Sequence, residues 1–458
     1  MEFFNSAFYF IIVIGILVFI HEFGHFIAAR LSGMRTDVFA FGMGPRLLGW
    51  NRINGFSFGK LPQDWQGNGH CDYRICAFPI GGYVKVAGMV DESLDVNYLS
   101  TAIEPYEFRS KGFFKKFFVL VAGVLMNLLL AVFIYFGINL FEGKVILKST
   151  TVGYVDKNSL AQKIGILEND KIISIGNNKI NTWNEVLEKL ALDNLGDSRE
   201  IVVSRNGEIV KLKADGKQLI NAITGKLPLG LNVEKTKIVV NNSDPSKAAG
   251  KIGLTAGDTI VMIDDILISS FSELTDILKG KKNQDVKVTW NRNNIELSAS
   301  GKVDASGKLG FASTVVPLVP KETISFGILE AMELAVKQTY NMGNLFINTV
   351  RQIFSGNLAA KDALGGPIMI AKGAKDYASL GFVAFLNFIA MLSVTLAIIN
   401  ILPFPVLDGG HIVFIAIEAV IRRELPLKFK LAVQNVGMVL LLLLMVFIIY
   451  NDITKVIR

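Results

Sequence analysis

The sequence predicts a multi-span α-helical membrane protein: four transmembrane helices, a β-rich segment between the first two, and two small α+β domains between the second and third. Three observations carry this. Four apolar runs reach the length of about 20 helical residues that a bilayer requires. A strand-and-glycine pattern follows the first run, and an internal repeat follows the second. With 458 residues and 51% hydrophobic content, the chain also has room for domains outside the membrane.

The first run is free of charge from Phe3 to Ile20 and extends to about Ala29; the others are Phe117 to Phe141, Tyr377 to Leu407 and Leu431 to Asn451. The first lacks a basic start and an evident cleavage site, so it reads as a retained span rather than a signal peptide. No Lys or Arg precedes it, whereas the segment after it carries many, from Arg30 to Lys116. The positive-inside tendency therefore puts that segment in the cytoplasm and both termini outside. The expected boundaries are 1–31 for the first span, 32–112 for the cytoplasmic β-rich loop and 113–142 for the second span. Residues 143–222 and 223–316 hold the two repeats, and 317–375 an amphipathic helix with a connector. The third span then occupies 376–412, and 413–458 is a cytoplasmic loop with the fourth.

Within the cytoplasmic segment, Thr36 to Phe41 and Ile75 to Val86 are rich in strand formers beside glycines. The stretch Gly82, Tyr83, Val84 to Val86, after Gly81, is either an ordinary hairpin turn or an edge that pairs with an extended peptide. The repeat has an offset of 88 residues: Gly165 matches Gly253, Asp170 matches Asp258, Ile172 and Ile175 match Ile260 and Ile263, and Trp183 matches Phe271. Each copy then has a short helical pattern and a hairpin, around Arg205 to Gly207 or Arg292 to Asn294. From Phe326 to Ile353 apolar residues recur at helical spacing among too many polar ones for a span, which predicts an amphipathic helix.

The first span carries His21, Glu22, Phe23, Gly24 and His25 inside it. Ionisable groups are expensive in hydrocarbon and rarely idle there. Four residues turn a helix through about 400°, so the two imidazoles stand on one face only about 40° apart. That geometry suits one zinc ion, with Glu22 placed to take a proton from water. Only His70 and His411 remain as further histidines, so a third ligand is a carboxylate or one of these. Cys71 and Cys76 are too few for a disulfide framework and read as free thiols. The net charge of +7 forms no concentrated patch, which excludes nucleic acid as a partner and fits loops that face anionic lipid.

The third run ends in Asn400, Ile401, Leu402, Pro403, Phe404, Pro405, Val406, Leu407, Asp408, Gly409, Gly410. These prolines and glycines unwind a helix at membrane depth, tolerable only where the backbone lines a protein cavity. Asp408 at that break either completes the zinc site or caps a turn.

Together, the HExxH pattern at His21 to His25 and the N-x-x-P-x-P-x-L-D-G pattern from Asn400 to Gly409 resemble the site-2 protease family of intramembrane zinc metalloproteases. The repeat unit resembles a PDZ domain, as in Ile252 to Ile260, with Asn169 where the first copy departs from a usual glycine. Tandem PDZ repeats between the second and third spans are similar to the regulator of sigma-E protease branch of Gram-negative bacteria. The resemblance implies zinc held by His21, His25 and Asp408, Glu22 as general base, and Asn400 near the substrate backbone. It also implies a membrane-associated β-hairpin at Gly81 to Val86 that pairs with unwound substrate, periplasmic PDZ-like domains, and an inner-membrane location. The implied substrate is a single-span protein of anti-sigma-factor type, first trimmed by a periplasmic protease, and remnant signal peptides besides. The chain departs from the family pattern at Phe41 to Pro45, at Val124 and Leu128, and in a longer loop from Gln63 to His70, none of which touches an implied ligand. The alternatives from other classes are a membrane-anchored PDZ scaffold with a structural zinc site, which leaves Glu22 unexplained, and a metal transporter. A transporter predicts several carboxylates along a path, and the spans offer only Glu22 and Asp408.

Overall fold

A computed structural model describes residues 2–61, 69–89, 103–192, 196–223, 227–234, 236–363 and 365–457. Most of the longer loop from Gln63 to His70 lies outside the described residues. The chain divides into two compact units: 1–143 with 325–347 and 360–458, and 144–324 with 348–359.

The first unit opens with α1 (Glu2–Leu31), a helix with no charge before Glu22 other than at its first residue. Three strands follow, β1 (Thr36–Asn51), β2 (Gly55–Phe58) and β3 (Asp72–Val86), in the order β2-β1-β3. Both halves of β3 pair with β1. Tyr73 to Cys76 face the second half of β1, while Gly82 to Val86 run antiparallel to Thr36 to Phe41. The β-rich expectation thus holds, as a three-stranded sheet rather than a lone hairpin. An interior tie explains its stability: Asp72, fully buried, accepts from Arg46 at 3.1 Å, Arg74 at 2.7 Å and Asn51 at 3.1 Å, so its charge is paired on every side. Cys71 and Cys76 are free and buried nearby, and burial pushes both thiols up, which makes them inert.

Next, α2 (Phe113–Phe141) returns along α1. Between two apolar helices in lipid, close packing replaces the hydrophobic effect, and small residues allow it. Gly24 shows this: a Cβ there would lie 2.4 Å from the Ala122 carbonyl oxygen.

The second unit contains the repeat. β4 (Lys144–Leu147) is followed by the first copy: β5 (Val152–Val155), α3 (Leu160–Ile164), β6 (Lys171–Ile175), β7 (Asn178–Lys179), α4 (Trp183–Leu187), β8 (Arg199–Arg205), β9 (Glu208–Ala214), α5 (Gly216–Ile223) and β10 (Leu231–Val233). The second copy comprises β11 (Thr236–Ser243), α6 (Ala248–Lys251), β12 (Thr259–Ile263), β13 (Ile266–Leu267), α7 (Phe271–Gly280), β14 (Asp285–Arg292), β15 (Ile295–Lys302) and β16 (Phe311–Pro317), and β17 (Lys321–Ile324) follows it. Each copy has its own apolar core, around Ile172, Trp183 and Ile201 in one and Ile260, Leu274 and Trp290 in the other.

The copies repeat their chemistry as well as their pattern. Arg205 grips Asp170 with two hydrogen bonds of 2.8 Å, and Arg292 grips Asp258 at 2.7 and 2.8 Å. Thr182 and Ser270 cap α4 and α7, each answered by a glutamate three residues on, Glu185 or Glu273. Asn169 stands at φ 65 where Gly257 stands at φ 95, so asparagine fills the left-handed position that the repeat requires. The boundary expected between residues 222 and 223 falls later. β10 pairs with β5 and so belongs to the first copy, a non-local contact that no nearby sequence signal marks.

After it come α8 (Ile328–Phe354), the expected amphipathic helix, α9 (Ala360–Ala363) and α10 (Pro367–Ser379). The run from Tyr377 to Leu407 is not one helix. It breaks at Gly381, with φ 117, and only α11 (Phe382–Ile401) is a candidate span. Then α12 (Asp408–Ile421) occupies the start of the expected cytoplasmic loop at 413, because Ile412 to Ile421 contains no breaker. α13 (Leu427–Ile457) closes the chain. Four helices among the described residues are long and apolar enough to cross a membrane: Phe4–Leu31, Phe113–Phe141, Phe382–Ile401 and Leu427–Lys455.

Candidate metal centre and active site

Helix α1 carries His21 and His25 on one face, and their rings stand 4.8 Å apart. The break after α11 carries Asp408 to the same point. His21 Nε2 lies 3.1 Å and His25 Nε2 3.4 Å from Asp408 Oδ2, and the two nitrogens are 3.2 Å apart. Among the described residues these three form the one histidine, cysteine and carboxylate group compact enough to hold a metal; neither His70, Cys71, Cys76 nor His411 belongs to it.

The surroundings test whether the group suits zinc. His25 Nδ1 donates to the Val119 carbonyl at 2.8 Å, so Nε2 carries the lone pair that faces Asp408. His21 Nδ1 lies 3.2 Å from the buried Asn127 amide, whose Oδ1 has no other partner. Turned over, that amide lets Oδ1 accept a hydrogen bond from Nδ1–H and fixes His21 in the same tautomer. Asp408 Oδ2 is buried and has no hydrogen-bond donor. Three lone-pair atoms therefore converge at one point, an arrangement that a divalent cation stabilises. Gly123 completes the cradle: a Cβ there would lie 2.5 Å from His25 Nε2 and 2.7 Å from His21 Cε1.

Beside these three atoms is a pocket of ≈ 70 Å³, room enough for water. Glu22 lines it, as do Tyr83 and Val84 of β3. Gly82 brings the strand against α1, since a Cβ at that residue would stand 3.3 Å from Glu22 Cγ. Asn400, one residue before the end of α11, holds its amide 3.3 Å from His21 Nε2. Gly81 does not line the pocket; it lies within β3 at φ 85, against Met43. Val406 does line it, at φ 83, a strained conformation for a β-branched residue and one that no sequence pattern announces. The structure therefore gathers Glu22, His21, His25, Asp408, Asn400, Gly82, Tyr83 and Val84. The sequence reading missed the roles of Asn127, Gly123 and Val119 in holding the histidines.

A model of peptidase family M50 matches residues 9–444. A zinc metalloprotease of Pasteurella multocida is 31% identical over 99% of both chains. The regulator of sigma-E protease RseP of Escherichia coli is 29% identical over 97% of this chain and 98% of its own, and the regulator of sigma E protease of Haemophilus influenzae 29% over 99% of both. A fold with apolar helices around a two-histidine, one-carboxylate centre defines a membrane metallopeptidase. This chain belongs to peptidase family M50 and is an intramembrane zinc metalloprotease.

Proposed function

We propose that the chain cuts the transmembrane segment of single-span proteins whose outer domain has already been removed, with an anti-sigma-factor type of substrate and remnant signal peptides besides. The observation that carries this reading is one pocket lined by the three candidate ligands His21, His25 and Asp408, by Glu22 and by Tyr83 and Val84 of a β-strand.

His21, His25 and Asp408 are the zinc ligands on this reading. Zinc bound there would supply Lewis acidity toward a carbonyl and make water acidic enough to react near neutral pH. Glu22 accepts the proton from that water as it adds to the scissile carbonyl, then returns it to the departing amine nitrogen. A peptide bond inside a helix has its carbonyl tied up, so the substrate must unwind first. Gly81, Gly82, Tyr83 and Val84 offer the backbone edge on which the unwound segment lies, with Asn400 holding the chain near the ligands.

The two repeat copies are PDZ-like domains that stand on the periplasmic side and exclude untrimmed proteins by bulk. A periplasmic protease acts first, and the chain sits in the bacterial inner membrane with both termini outside. The strong basic bias of the segment between the first two spans supports that orientation. The test is degradation of a model anti-sigma factor, full-length and trimmed, by wild type and by Glu22→Gln with zinc content measured. Cleavage of the trimmed form by wild type alone supports the reading, whereas cleavage by Glu22→Gln removes the proposed base.

A further inference from the structure

A second cavity opens beside the catalytic pocket. It has a volume of ≈ 140 Å³ and lies between the start of α2, the end of α12 and the start of α13, where Lys116, Leu120, Phe414, Ile415, Leu425 and Leu427 line it. Met89 and His411 line both cavities, so the two have a wall in common. The strand beside the metal ligands leads from one to the other: Tyr83, Val84 and Val86 line the first, and Gly88, two residues past the end of β3, lines the second. Their chemistry differs. Outside the ligand group and Glu22, the first is lined mostly by apolar side chains such as Val84, Val119 and Val406. The second is lined by Arg109, Lys116, Glu418, Glu424 and Lys430, with Lys430 paired to Glu418 at 2.6 Å and Lys116 set over the Phe108 ring at 5.6 Å. Helix α2 measures the offset. Val119 and Gly123 meet the imidazoles, whereas Lys116 and Leu120 line the second cavity. The second cavity is therefore about one helical turn, roughly 5 Å, nearer the start of α2, a distance that extended chain covers in about two residues.

We propose that the second cavity is a substrate subsite: it takes the polar residues that flank the substrate's apolar segment on the cytoplasmic side, and by holding them it fixes which bond lies at the metal. The inference rests on the proposed function, including its orientation, and adds where along the segment the cut falls. An unwound segment lying on Gly82 to Val86 runs off the end of the strand at Val86, where the chain turns through Gly88 at φ 73, and its next residues meet the charged cavity. An apolar side chain seated there would strip water from five charged groups and give them no new partner. A polar residue or a bare peptide group replaces the water it displaces, since carboxylates and cationic groups together serve both its N–H and its C=O. In the first cavity the preference is reversed. The boundary between apolar and polar residues in the substrate thus settles between the two cavities, and the cut keeps a constant spacing of a few residues from it.

The experiment maps cleavage sites by mass spectrometry in a trimmed single-span substrate whose cytoplasmic flank is moved by adding or removing two apolar residues at that end of its apolar segment. A further substrate carries leucine in place of the first few flanking residues. With wild type the cut is expected to move with the flank, by two residues either way. The leucine-flanked substrate is expected to show a KM higher by roughly tenfold, as for one or two lost polar contacts, and scattered cuts. Leu427→Trp and Glu424→Trp narrow the cavity from two places, the second at an exposed residue that tolerates bulk. With zinc content as in wild type, either is expected to raise KM on the original substrate and to uncouple the cut from the flank, while leaving the leucine-flanked substrate as it was. A cut that stays at one bond while the flank moves overturns the proposal, and this arm needs no enzyme variant. So does a wild-type KM with flank-following cuts in both tryptophan variants. If wild type cuts none of these substrates, or Glu22→Gln cuts them as well, the underlying reading fails instead.

Discussion

Two residues of α2, Asn127 and Gly123, decide how the imidazoles of His21 and His25 stand, one through its amide 3.2 Å from His21 Nδ1 and the other by leaving room. Replacing Asn127 by Leu keeps the shape and removes the acceptor, so zinc affinity should fall by roughly 10–100-fold, as for other outer partners of metal-binding histidines. Competition with a chelator of known affinity measures this, and an unchanged affinity would show that the amide does not orient His21. Gly123→Ala should weaken zinc too, since its Cβ meets both rings and the neighbouring backbone cannot withdraw. Glu22→Gln should do the opposite: zinc stays, and proteolysis falls by about 10²–10⁴-fold. The histidines were legible because a helix repeats every 3.6 residues, which fixes their common face from spacing alone. Asn127 and Gly123 were visible as polar and small positions in the second run, but nothing in an apolar helix marks its register against a neighbour. His411 was legible only as a histidine; its distance from the ligand group depends on a helix, α12, that begins at the motif itself.

At the scale of elements, Gly82 to Val86 is the strand whose environment most changes its meaning. Its residues pair with β1, and Tyr83 and Val84 face the pocket. Val84→Pro removes a backbone donor from that strand, so turnover of a helical transmembrane substrate should fall at least about tenfold with zinc content unchanged. Undiminished turnover would sink the edge-strand account. A second element-scale tie joins the residue before β12 to the end of β14, through Asp258 and Arg292. Burial tends to raise the Asp258 carboxyl, but the hydrogen bonds and charge of Arg292 outweigh it and hold the group below the usual carboxylate range. A folded pKa below the unfolded value of about 3.9 means stability that is full above that pH and is lost as pH falls through the folded pKa. Thermal unfolding of the full chain between neutral pH and pH 3 should therefore show a steeper acid loss in wild type than in Asp258→Asn. Equal slopes would mean that the pair carries no pH-dependent stability. The aspartates of both copies were readable as repeat positions, yet their arginine partners lie more than thirty residues away, where only the folded hairpins bring them back. The same holds for β10, whose pairing with β5 moves the boundary between the copies, and for Gly381, whose left-handed turn cuts the third apolar run without altering its hydropathy.

The whole chain reads as a membrane enzyme with an insertion, and the way the insertion is tied off makes its role testable. β4 and β17 form an antiparallel pair from Lys144 opposite Ile324 to Leu147 opposite Lys321, and the Lys148 N–H donates to the Pro320 carbonyl at 2.9 Å. The repeat copies thus enter and leave through one narrow neck, and a few residues of Gly and Ser suffice to join its two sides once 149–319 are removed. Separate cores in the two copies mean that the deletion removes both, although Leu147, which packs against the first, stays behind. One loss is foreseeable: Asn184 of α4 accepts from the Leu147 N–H at 3.0 Å and donates to the Val145 carbonyl at 3.2 Å, so β4 gives up that support. Zinc content and expression must accordingly match wild type before activities are compared. If the copies act by bulk, the shortened enzyme cuts the trimmed substrate at the wild-type rate and gains cleavage of the untrimmed one, which wild type rejects. If it still rejects the untrimmed protein and cuts the trimmed one normally, exclusion resides in the membrane unit, and peptide binding becomes the better account of why two copies are present. A loss of trimmed-substrate cleavage with zinc retained would show instead that the copies help to deliver the substrate.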